Sequence, residues 1–173
     1  SSDLMYDSEE SLLDMFKTMV IKQIQLEPDV LAYNRLLIWV FVEEQNYTQA
    51  LRQAMALDRR TRAEDKSILE FATDATRLNQ YDIAIEALSY LKTRKPETQL
   101  LTQVAQQYAR TLYARYTNTS ERTAARVSEV NTTFEELFAN QGYVLQTVPM
   151  VIEFAHFLAF YQNDVPKAIR VLT

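Results

Sequence analysis

The sequence predicts an all-α chain of about nine helices joined as antiparallel hairpins, and three observations carry that reading. The 173 residues contain one glycine, Gly142, and four prolines. Sheets and barrels turn their strands with positive-φ residues, which glycine mostly supplies, so this chain has little to turn strands with. Ala, Leu, Gln, Glu and Arg dominate instead, and these residues favour helix. Apolar residues also recur at a spacing of three to four almost throughout.

The elements follow in order. Leu12, Leu13, Phe16, Met19, Val20 and Ile24 predict a first helix over residues 8–26. Pro28 stops it, and Asp29 is the expected N-cap of a second helix over 31–44. Asn46 caps a third over 47–60. Helices over 64–78 and 81–94 come next. Pro96 stands at a helix start, where its missing N–H costs nothing, and opens a helix over 97–116. Another spans 120–140, with Gly142 as its expected C-cap. Pro149 opens a helix to Tyr161, and Asp164 with Pro166 opens the last. Short connections force successive helices to lie antiparallel and in contact.

Composition narrows the function classes. An apolar content of 47% excludes a disordered polymer. The net charge is -5, and the densest basic run (Arg59, Arg60, Arg62) is followed at once by Glu64 and Asp65. A nucleic-acid binder would show a clustered basic excess, so nucleic acid is not expected as a partner. Without cysteine there is no disulfide framework and no thiolate metal site. That suits a soluble protein of either the cytoplasm or a periplasm and leaves the compartment open. The longest apolar stretch, residues 148–161, contains Glu153 and His156 and falls short of the roughly 20 residues that span a bilayer. It is expected to be a buried core helix, and no membrane span is expected.

An internal repeat organises the chain. Gln45-Asn46-Tyr47-Thr48-Gln49-Ala50 recurs 34 positions later as Asn79-Gln80-Tyr81-Asp82-Ile83-Ala84. The same shift carries Leu37 onto Phe71 and Leu57 onto Leu91. Pro28 and Pro96 stand two such periods apart. A third copy, Asn163-Asp164-Val165-Pro166-Lys167-Ala168, lies near the end. The pattern resembles the tetratricopeptide repeat, with an aromatic opening the second helix, a small residue three positions on and a closing proline. Tyr47, Tyr81 and Val165 take the first role, and Ala50, Ala84 and Ala168 the second. The resemblance implies a single helical-repeat domain over 1–173, an antiparallel helix-hairpin solenoid. Its units fall at about 31–64 and 65–98, followed by an enlarged irregular pair over 99–148 and a truncated unit over 149–173.

The chain is expected to belong to a longer protein. Ser1-Ser2-Asp3 is neither an initiator Met nor the start of a signal peptide. Ile169, Val171 and Leu172 end the sequence on apolar surface, where further repeats or self-association would fit.

Little in the sequence points to catalysis. His156, the sole histidine, sits among Phe154, Ala155, Phe157 and Leu158 and reads as a packed side chain with one backbone or carboxylate partner. Neighbouring carboxylates such as Glu43-Glu44 and Glu135-Glu136 diverge by about 100° on a helix, so they do not converge on a substrate. No glycine-rich phosphate loop exists. Neither an enzyme, a metal site nor a cofactor is expected.

The tetratricopeptide resemblance implies instead that the first helix of each unit lines a concave groove for a peptide or partner helix. Its lining would be Arg35, Trp39 and Glu43, then Lys66, Leu69, Thr73 and Arg77, then Phe157 and Phe160. Trp39, the only tryptophan, is either an exposed anchor or part of the apolar run from Leu36 to Val42. Relatives that grip a carboxylate use Asn where Trp39 and Thr73 stand here, which argues against that mode. Arg35, Lys66 and Arg77 would favour a mixed apolar and acidic peptide. The expected function is an interaction scaffold. The alternative is a structural region of a larger enzyme or of a secretion or envelope assembly machine.

Overall fold

The computed structural model describes residues 2–173, with side chains from Ser8 onward. These residues form nine α-helices, one 3-10 turn and no strand, as the glycine-poor composition predicts. The helices are α1 (Ser2–Leu26), α2 (Leu31–Glu43), α3 (Tyr47–Thr61), α4 (Asp65–Arg77), α5 (Tyr81–Arg94), α6 (Thr98–Asn118), α7 (Ala124–Gln141), α8 (Val148–Tyr161) and α9 (Val165–Leu172). The 3-10 turn, Leu145–Thr147, precedes α8.

Two boundaries differ from expectation. Helix α1 begins at Ser2, six residues before its apolar periodicity starts. The N-cap of α2 is Val30 rather than Asp29, and it offers no side-chain cap. The C-cap expected at Gly142 is present: its φ is 74°, a region glycine enters freely, and its N–H donates to the Phe138 carbonyl.

The chain divides into two compact units, residues 1–68 and 69–173. In the first, α2 packs against both α1 and α3. Val20, Leu37, Val40, Leu51 and Leu57 are buried there. Fully buried Asp58 locks the exit from α3. Its Oδ1 accepts the Glu64 N–H at 3.1 Å, and its carbonyl accepts the N–H of Arg62, which closes α3 in a left-handed conformation. In the second unit α6 is central and contacts α5, α7 and α8, while α8 also packs on α9. Leu112, Tyr116, Phe134, Phe154, Phe157 and Leu158 lie at the heart of its core.

The repeated motif folds the same way each time. Gln45, Asn79 and Asn163 all adopt left-handed backbone, with φ of 56°, 61° and 54°. The residue after each enters the next helix with φ near -90° to -104° and ψ between 60° and 66°. Asn46 and Gln80 each donate a backbone N–H five residues back at 2.8 Å, to Phe41 and Ala75. Ala50, Ala84 and Ala168 are all buried, as are Leu57 and Leu91. Tyr81 is buried and its hydroxyl donates to Asn79 Oδ1 at 2.6 Å, whereas Tyr47 is half-buried and Val165 exposed.

Candidate functional site

Within the second unit, one face of α6 carries Gln103, Gln106, Gln107, Arg110 and Tyr113. One face of α8 carries Pro149, Glu153, His156 and Phe160. Both sets recur at three to four residues, so each forms a single stripe. Leu69 and Thr73 of α4, Gln103, Gln106, Gln107 and Arg110 of α6, and Gln146, Pro149 and Met150 line a groove of about 250 Å³.

Polar side chains dominate that groove. Gln106 donates to Gln141 at 2.8 Å, and Gln107 donates to Thr76 and Thr111 at 3.3 Å, so both are held in place. No protein group engages the side-chain amides of Gln103 and Gln146 among the described residues. Arg110 Nε donates to Glu153 Oε1 at 3.0 Å. Glu153 Oε2 is buried without a partner. Burial raises the Glu153 carboxyl above its ordinary range, and the Arg110 charge opposes that rise only in part. Further along, the Tyr113 hydroxyl pairs with His156 Nδ1 at 3.0 Å. Burial, aided by the negative charge of Glu153, also raises the Tyr113 phenol. The His156 ring lies 4.7 Å from Phe160, which is 76% exposed.

The predicted residues are not all brought together. Leu69 and Thr73 line the groove, and Phe160 projects from the α8 stripe. Phe157 does not line any surface. It is 0% exposed and packs on Tyr116 with ring centroids 5.1 Å apart. Helix α8 is apolar apart from Glu153 and His156, and Phe157, next to His156 in sequence, turns to the core side. Arg77 is exposed but paired with Asp74 at 2.7 Å. In the first unit Arg35, Trp39 and Glu43 share the exposed face of α2. Arg35 is bound to Glu64 at 2.7 Å, and that carboxylate holds its guanidinium protonated. Lys66 is exposed with no ion pair among the described residues. With Arg35 and Arg77 already neutralised, the basic character expected of these positions is largely cancelled.

His156 also differs from its expectation. It is exposed rather than packed in the core, and its partner is a phenol rather than a backbone group or a carboxylate. The sequence reading missed Gln103, Arg110 and Gln146 because they fall in the block that does not follow the 34-residue phase. The signal that would have found them is the polar stripe from Gln103 to Arg110 on a helix otherwise rich in core residues.

Among the described residues, no three His, Asp or Glu side chains come together as a metal site. None of the described helices is long and apolar enough to cross a membrane. No family model, curated protein or solved structure matches this chain.

Proposed function

We propose that the chain is a helix-hairpin scaffold of the tetratricopeptide kind that holds an extended polypeptide along the α4–α6–α8 face. The reading is supported by the shared geometry of the three motif turns and by a groove lined by the leading helices of successive units. The observation that carries it is the pair of unengaged amides, Gln103 and Gln146, in that groove. A side-chain amide offers both donor and acceptor, the same set that a peptide backbone offers in return. Phe160 and His156 supply one apolar step for a ligand side chain. Such a surface binds main chain with little regard to sequence.

The test is panning of a randomised nine-residue peptide library on the full chain, followed by titration of the recovered peptides. Each ligand hydrogen bond is worth about 0.5–1.5 kcal/mol, so the Gln103→Ala, Gln146→Ala double variant should bind roughly tenfold more weakly. Recovered peptides that bind the double variant as tightly as the parent chain would end this reading.

A further inference from the structure

Helices α6 and α8 run parallel in one fixed register, and that register sets a spacing for a ligand. Arg110 pairs with Glu153, and three residues further along both helices Tyr113 pairs with His156, each across 43 positions. The groove lining keeps the same offset, Gln103 with Gln146, Gln106 with Pro149 and Gln107 with Met150. Seven residues are close to two turns, so Gln103 and Arg110 fall on one side of α6, as Glu153 and Phe160 do on α8. At a rise of about 1.5 Å per residue, each interval measures about 10.5 Å. The face therefore carries three evenly spaced rungs. They are the unengaged amides, the Arg110–Glu153 pair, and Phe160 with the His156 ring 4.7 Å from it.

Each rung offers different chemistry. Arg110 uses only Nε on Glu153, and its two Nη groups have no partner among the described residues. Glu153 is mostly buried while Arg110 is half-exposed, so the guanidinium rather than the carboxylate meets solvent. Among the described residues, Arg110 is also the only charged one in the groove lining. The outer edge of a guanidinium grips a carboxylate through two parallel hydrogen bonds. Phe160 is exposed and offers an apolar seat. A β-strand points successive side chains to opposite faces, so residues three apart do not reach one surface. A polyproline II chain has three residues per turn and rises about 3.1 Å per residue, so a side chain returns to the same face about every 9 Å. That repeat falls short of the rung spacing by only about 1 Å, well within the reach of an arginine. Its backbone makes no internal hydrogen bonds, which leaves N–H and C=O groups open to the two glutamines. Building on the extended-polypeptide reading, in which the amides hold main chain with little regard to sequence, the other two rungs add a preference. We infer that the ligand is a polyproline II segment carrying an acidic residue three positions from an aromatic or large aliphatic one. The acid lies on Arg110 and the apolar side chain on Phe160.

The probes are dye-labelled nine-residue peptides of proline and alanine that carry one glutamate and one phenylalanine. These two stand three apart in either chain order, or two or four apart, and lysine replaces glutamate in a further set. Fluorescence anisotropy gives each affinity for the 173-residue chain. One of the two three-apart peptides should bind about tenfold more tightly than the two-apart and four-apart peptides and than its lysine counterpart. Arg110→Gln should abolish the preference for glutamate over lysine. Phe160→Ala should abolish the preference for a spacing of three, and as Phe160 is exposed this variant tests the register without disturbing the Arg110–Glu153 contact. Gln103→Ala with Gln146→Ala should weaken all the peptides alike. Binding blind to spacing and charge would overturn this inference. So would no binding by these peptides while library peptides still depend on the two amides. Either result leaves the scaffold reading in place, whereas binding indifferent to the double amide variant would end that reading itself.

Discussion

Arg110 Nε donates to Glu153 Oε1 at 3.0 Å, while the second oxygen of that carboxylate is buried with nothing to accept from. The pair joins α6 to α8 at the edge of the groove. It satisfies half of a buried acceptor and leaves the other half unpaired. An unmet buried acceptor is costly.

Glu153 also makes stability depend on pH. Its folded-state pKa is raised, chiefly by burial. The folded state therefore holds the proton more tightly than the unfolded chain does. That contribution is fully present below the ordinary carboxylate pKa and is lost as pH rises through the folded value. Glu153→Gln removes the ionisation and breaks only a half-exposed ion pair with Arg110, worth little. Thermal unfolding of the variant and the parent should coincide near pH 4. At pH 7 the variant should be the more stable, by about 1 kcal/mol. An identical difference at both pH values would show that the charge is not the cause.

Phe157 and Phe160 stand one turn apart on α8 and separate core from surface. Phe157→Ala empties a fully buried site and should cost about 3–5 kcal/mol in denaturant unfolding. Phe160→Ala should change stability by less than about 0.5 kcal/mol. Under the proposed function its effect is expected in peptide capture instead. Comparable losses of stability at both positions would contradict the observed rotation of α8.

Ala84 tests the repeat. It is fully buried, and Ala84→Leu should overpack its site at a cost of about 1–3 kcal/mol. Gln80, at the N-cap of α5, makes no side-chain capping bond, so Gln80→Leu should be nearly silent. The two chemical-denaturation midpoints decide the matter, and similar shifts would count against the shared repeat geometry.

Asp58 holds the α3 exit through the Glu64 N–H, and Glu64 in turn carries Arg35. Asp58→Ala should cost about 1–3 kcal/mol by leaving a buried donor unmet. Asp58→Asn keeps an acceptor and should recover part of the loss. Equal destabilisation by Ala and Asn would show that the retained oxygen does not matter there.

Helix count and turn positions were legible because they depend on local chemistry. Asn46 and Asp164 accept the N–H three residues on, Pro149 and Pro166 sit in first turns, and Gly142 takes the positive φ that ends α7. Equivalent burial of Ala50 and Ala84 was legible from the 34-residue phase, and that of Ala168 from the recurring motif. The left-handed backbone at Gln45 was not, since glutamine carries no preference for it, and only comparison with Asn79 and Asn163 makes it intelligible.

Sequence alone therefore determined that this chain is helical, where most helices start and stop, and which small residues are buried, all of which follow from backbone capping and side-chain volume. Tertiary structure decided which face of a largely apolar helix is hidden, which arginine meets which carboxylate, and that Glu153 keeps one oxygen unpaired. Those outcomes depend on residues far apart in the chain: Arg35 and Glu64 lie 29 positions apart, Arg110 and Glu153 lie 43 apart. A periodicity of three to four residues carries no information about partners at such distances. Only packing brings them within reach of one another.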